Sequence, residues 1–151
     1  NMQPEMEGFD YILERQLKPE ARTDIKKTLE ELDIKPTSMI DVSDGLASEI
    51  LHLSDQSKVG FRLYEEKIPL DTLTITTADE FNLNPAMCAL SGGEDYELLF
   101  TIKMEDYGKI KANPNFTVIG HMTQESEGIH LVTRANTRIP LKARCWNALE
   151  E

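Results

Sequence analysis

The segment Met39-Ile40-Asp41-Val42-Ser43-Asp44-Gly45-Leu46 leaves the backbone little choice. Two β-friendly apolar residues run into two aspartates and a serine, and a glycine follows. From there the apolar residues change period. Leu46, Ile50 and Leu53 line one helical face, with Ala47 and Leu51 beside it. A strand must therefore end and a helix begin within a few residues, with Asp41, Ser43 and Asp44 at the junction. Two readings of these side chains are open. Ser and Asp at a helix start satisfy orphan N–H groups as N-caps. Alternatively, Asp41 and Asp44 supply the one or two carboxylates that Mg²⁺ takes beside a substrate phosphate, and Ser43 bonds a phosphate oxygen or a metal-bound water. A calcium loop of EF-hand type does not fit, because Leu46 and His52 stand where that loop needs its glycine and its closing glutamate.

The same period logic orders the rest of the chain. Residues 1–19 read as a linker or leading helix bracketed by Pro4 and Pro19. Ile25, Leu29 and Leu32 define a helix over 20–33, stopped by Pro36. Residues 38–42 read as a short buried strand, and Gly60 opens another over 61–64. Thr76 to Phe81 reads as a capped short helix ending before Asn84-Pro85. Further strands are expected at 96–102, 116–119 and 128–132, with a helix from Met104 to about Ala112. Helices interleave with strands close enough to pair. The expected fold is α+β, a mixed and mostly antiparallel sheet covered by helices.

A second constellation is Leu90-Ser91-Gly92-Gly93-Glu94-Asp95-Tyr96-Glu97-Leu98. The glycine pair lets the chain turn with positive φ. Glu94 and Asp95 directly after it either bind a cationic ring or a metal-bound water, or are solvated acids of a plain turn. It is not a Walker A loop, since the Lys-Ser/Thr ending is missing. Trp146 is the only tryptophan; it either stacks on a ligand or packs the tail onto the domain. His52, His121 and His130 lack metal-ligand spacing.

Charge narrows the partners. With 16 basic against 27 acidic residues, the chain carries −11. That argues against nucleic acid, and phosphorylated ligands would need metal ions to screen the carboxylates. Cys88 and Cys145 form no CxxC pair, and no apolar run approaches a membrane span or a signal peptide. The expected setting is cytoplasmic, with no membrane partner.

The ordered combination of Ser38 to Leu46, Ser91 to Leu98 and a terminal tryptophan resembles thiamine-monophosphate kinase, most of all its C-terminal domain. That family belongs to the aminoimidazole ribonucleotide synthetase superfamily. The resemblance runs from about Leu17 onward. It implies transfer of the ATP γ-phosphate to thiamine monophosphate, giving thiamine diphosphate. It further implies Asp41 and Asp44 as Mg²⁺ ligands, with Asp44 catalytic, Ser43 on ATP, Glu94 and less directly Asp95 on the thiamine substrate, and Trp146 stacked near it. Cys145 stands where the family commonly has glycine before the tryptophan. Family members also carry an N-terminal domain that supplies further aspartates and the contacts of a homodimer. On this reading residues 1–19 lead in from such a domain and 20–151 form the ATP- and substrate-binding half, inactive by itself. Two alternatives stand beside it: another ATP-dependent enzyme of the superfamily, and a non-catalytic ligand-binding or assembly module.

Overall fold

Helical periodicity settles the first half of the chain. The computed structural model describes residues 9–142. Helix α1 spans Asp10–Leu17 and α2 spans Asp24–Glu31, the latter burying Ile25 and Leu29 as their spacing requires. Strand β1, Ser38–Asp41, leads into α3, Leu46–Ser57, which buries Leu46, Ala47, Ile50 and Leu53. Strand β2 follows at Val59–Tyr64. Helices α4, Thr72–Glu80, and α5, Pro85–Ser91, come next. Then come β3 at Leu98–Thr101, α6 at Tyr107–Lys111, β4 at Gly120–Gln124, β5 at Ile129–Val132 and β6 at Arg138–Pro140.

The expected α+β class is what the strands form. β1 and β3 make a two-stranded antiparallel sheet, with Ser38 opposite Thr101 and Asp41 opposite Leu98. The other four make a mixed sheet in the order β4-β2-β5-β6, with β2 parallel to β5 and the other pairs antiparallel. The small sheet stands between two cores. Ile40 and Leu99 pack with α3, α5 and the larger sheet around Ile50, Leu63 and Leu131. Leu98 and Phe100 pack with α2 around Ile25, Leu29, Ile34 and Ile110. Successive β3 residues thus serve opposite cores, as a strand's two-residue period dictates. Among the described residues no helix is long and apolar enough to cross a membrane.

Four local expectations need correction. β1 is not a buried strand: Met39 and Asp41 are exposed, because among the described residues β3 is its only ladder partner. Asn84-Pro85, expected only as the boundary after a short helix, also begins one. The Asn84 side chain accepts the Ala86 N–H at 2.9 Å and Pro85 takes the first turn, where no N–H is needed. The preceding helix starts at Thr72, capped by Asp71, and not at Thr76. Residues 116–119 are not a strand. Their apolar side chains fill the two cores, and the ladder begins only at Gly120. A Cβ at Gly120 would collide with the Arg62 carbonyl oxygen, so glycine there is a requirement of pairing and not a break.

Candidate functional site

Backbone pairing joins the two motifs that the sequence keeps some 50 residues apart. The β1–β3 ladder ends at Asp41 and Leu98, but contact continues beyond it. Val42 N–H donates to the Glu97 carbonyl at 2.8 Å, Tyr96 N–H to that of Val42 at 2.9 Å, and Glu94 N–H to that of Ser43 at 2.8 Å. So close an approach excludes side chains at two points. A Cβ at Gly93 would land on the Ser43 carbonyl oxygen. At Gly45, whose φ is +107°, it would stand 2.9 Å from the Leu90 carbonyl oxygen.

The helix start is not capped as the cap reading expected. The N-cap of α3 is Gly45, and no side chain caps it. Ser43 and Asp44 are therefore not caps. Instead the buried Glu49 reaches back from inside α3 and accepts the Asp44 N–H at 3.1 Å. This leaves Asp41 and Asp44 with exposed carboxylates at the positive end of a three-turn helix. Among the described residues neither carboxylate has a hydrogen bond or an ion pair. Ser43 is half-buried between them.

The glycine loop delivers its acids to the same place. Glu94 and Tyr96 both adopt left-handed backbone, φ 71° and 51°. The Tyr96 hydroxyl donates to Glu94 Oε2 at 2.7 Å. That bond, Glu94's charge, desolvation and the nearby charges of Asp41 and Asp44 together raise the Tyr96 phenol above its usual range. The two motifs thus share one negative field. Asp95 is raised above the ordinary carboxylate range mainly by desolvation; Arg15 lowers it and Glu97 raises it. Glu97 itself accepts from Arg15 at 3.0 Å and Arg22 at 2.6 Å.

Asp41, Ser43, Asp44 and Glu94 are therefore brought to one edge, at the start of α3, whereas the charges that Asp95 feels are those of Arg15 and Glu97. Trp146, and Cys145 before it, lie outside the described residues. Among the described residues no group of three or more His, Cys, Asp or Glu can hold a metal by itself. Two exposed carboxylates, without an ion pair among the described residues, do fit Mg²⁺, which takes one or two carboxylates and completes its shell with water and phosphate oxygens. His52 is exposed two turns along α3 from the site and His121 is exposed on β4. Two shallow grooves, about 290 Å³ beside α1 and about 400 Å³ between α2 and the small sheet, contain none of the expected site residues. Sequence reasoning missed Glu49, Tyr96 and Glu97. Glu49 was findable only as an acid falling in the helix's first turn, and Tyr96 and Glu97 only as members of the loop motif.

No protein-family model matches the chain. Curated relatives do. It is 35% identical over 128 residues to the thiamine-monophosphate kinase of Aquifex aeolicus, 83% of this chain and 39% of that protein. With the thiamine-monophosphate kinase of Pyrococcus horikoshii it shares 36% over 120 residues, 80% of this chain and 36% of the relative. The chain thus spans about two fifths of the length of these relatives. The solved thiamine monophosphate kinase of Aquifex aeolicus superposes with a TM-score of 0.72 at 32% identity, covering 91% of this chain and 44% of that one. A structure described as AaThiL complexed with AMPPCP and TMP gives the same score and identity, covering 41% of its own chain. The hydrogenase maturation protein HypE of E. coli, at 14% identity and TM-score 0.62, shares the fold.

Proposed function

We propose that this chain, which over the part it spans belongs with the thiamine-monophosphate kinases, is the C-terminal half of such an enzyme. Its reaction is transfer of the ATP γ-phosphate to thiamine monophosphate, in a cytoplasmic setting. The observation that carries the reading is the backbone interlock of residues 41–45 with 92–97, which brings Glu94 to Asp41, Ser43 and Asp44 at one helix start.

Phosphoryl transfer asks for positioning and charge neutralisation rather than a covalent nucleophile. Asp41 and Asp44 would hold Mg²⁺; bound there, the ion would offset the negative charge of the phosphates. Ser43, between them in the sequence and half-buried, would donate its hydroxyl to a phosphate oxygen of ATP. Glu94, held by the Tyr96 hydroxyl, presents a carboxylate to the cationic thiamine ring system. Asp95 stands beside it. Trp146 would stack on the same substrate.

Residues 20–151 would form this half, and 1–19 would lead in from the rest of the enzyme. Two carboxylates are few for two phosphorylated ligands. The relatives' remaining length would supply further aspartates and the contacts of a homodimer. The chain alone should therefore bind ligands weakly and turn nothing over. Calorimetry with thiamine monophosphate and with Mg-ATP, followed by a thiamine diphosphate assay, tests this. Robust turnover by the 151-residue chain would refute the shared-site reading. Failure of Asp44→Asn to alter Mg²⁺ dependence in a complete enzyme would remove the metal assignment.

A further inference from the structure

Glu97 differs from Glu94 and Asp95 in its partners. Its Oε1 accepts from Arg15 at 3.0 Å and its Oε2 from Arg22 at 2.6 Å, while Arg22 also grips both oxygens of Asp24 at 3.1 Å. Its backbone carbonyl accepts the Val42 N–H. One residue thus holds the strand–helix motif by its main chain and, by its side chain, the leading segment through Arg15 and the α1–α2 connection through Arg22. Among the described residues of α1 only Ile12 and Leu13 are half-buried apolar side chains. α1 contributes no residue to either core, and Leu17 and Tyr11 are exposed. Arg15, in the last turn of α1, also projects its charge onto Asp95. Next to Glu97 stand the two left-handed residues Glu94 and Tyr96, a conformation that persists only where the surroundings over-determine it.

We propose that Glu97 is a positioning residue: through Arg15 and Arg22 it couples the setting of the leading segment to the shape of the 93–97 loop that carries Glu94 and Asp95. Its consequence for the phosphate acceptor rests on the kinase reading above; the joint itself does not. The leading segment becomes a part whose displacement is felt at the loop. Charge, not apolar packing, carries the message, so salt should weaken it.

Amide hydrogen exchange on the 151-residue chain, with no ligand present, tests the joint separately from the kinase reading. The reporters are the Glu94 and Tyr96 N–H groups, which bond Ser43 and Val42; the references are the Ile34 and Tyr64 N–H groups, which bond Leu29 and Ile119. Arg15→Ala should speed exchange at the reporters about fivefold, the scale of an exposed ion pair, and leave the references unchanged. Arg15→Lys should restore most of the protection. Glu97→Gln, which drops both pairs, should exceed Arg15→Ala. Raising salt to about 0.5 M should move the wild type in the same direction. Unchanged reporters in Arg15→Ala, or an equal rise at reporters and references, would overturn the proposal.

Discussion

The join between residues 41–45 and 92–97 depends on the absence of a side chain at Gly93. A methyl group there would sit well inside 3.0 Å of the Ser43 carbonyl oxygen, a backbone atom that cannot swing aside. Relief requires the two segments to part by about 1 Å, enough to lose the contacts between them. The bonds at stake are Glu94 N–H to Ser43 at 2.8 Å and Tyr96 N–H to Val42 at 2.9 Å. At about 1 kcal/mol net for each bond, Gly93→Ala should cost about 2–3 kcal/mol once residual overpacking is added. For a chain of this size that is a fall in Tm of about 4–12 °C. Gly108→Ala is the control. It lies in α6 with nothing within 4 Å of its Cβ position, and should gain about 0.5–1 kcal/mol from helix propensity. Urea unfolding followed by circular dichroism reads both variants, and amide exchange at Glu94 reads the join directly. A Gly93→Ala protein with a native urea midpoint and native protection at Glu94 would refute the interlock.

Three further outcomes follow from the same geometry. Glu49→Ala strands the Asp44 N–H beside a buried helix start and should cost about 1–3 kcal/mol in urea unfolding; a neutral result would mean that water or another acceptor serves that group. Asp44→Asn should leave the stability of this chain within about 0.5 kcal/mol, because its carboxylate is exposed, while lowering turnover of a complete enzyme by about a hundredfold or more. A stability loss without a change in Mg²⁺ requirement would reverse that assignment. Asp95 has a folded pKa above its unfolded one, so the folded state binds the extra proton and stability falls as pH rises from the ordinary carboxylate range through the raised value. Asp95→Asn should therefore raise the urea midpoint near about pH 7 and lose that advantage near about pH 3. An advantage that grows toward acid would contradict the sign.

Where one pattern dominates, the sequence states the fold. The 46–50–53 spacing gave α3 its buried face, and 25–29 gave α2 its own, because burial at a 3.6-residue period is local information. Strands were harder. Residues 116–119 carry three apolar side chains yet form no strand, with only the Ile119 carbonyl bonded to β2, since filling a core and joining a sheet are separate tasks. β4 is Gly-His-Met-Thr-Gln, a polar sequence whose pairing to β2 is fixed by space above Arg62. α5 was hidden because Asn-Pro is also a turn signal, and seven residues give little period to read. In the site, the acids were legible as residue types in two compact motifs. Their meeting was not, because main-chain bonds across some 50 residues make it. Glu49 was invisible for a related reason: a glutamate within an amphipathic helix looks solvated until the N–H it serves is seen.

Backbone strain sets this edge apart from a plain turn. A turn that only reverses the chain would place glycine or asparagine at positive φ, where the backbone cost is least. Here the glycines at 92 and 93 need no positive φ, and the left-handed positions are held by Glu94 and Tyr96. Each costs roughly 1–2 kcal/mol relative to an unstrained residue. The interlock with 41–45 offsets that cost, and the Tyr96–Glu94 bond shows what it secures: a carboxylate held out from the loop beside Asp41 and Asp44. Acids gathered in this way repel one another, and the chain as a whole carries −11. An edge that accepts both strain and repulsion is explicable if cations arrive there. The metal-screened phosphates and cationic thiamine ring of the proposed reaction supply them, and a plain hairpin or a plain helix cap would supply none.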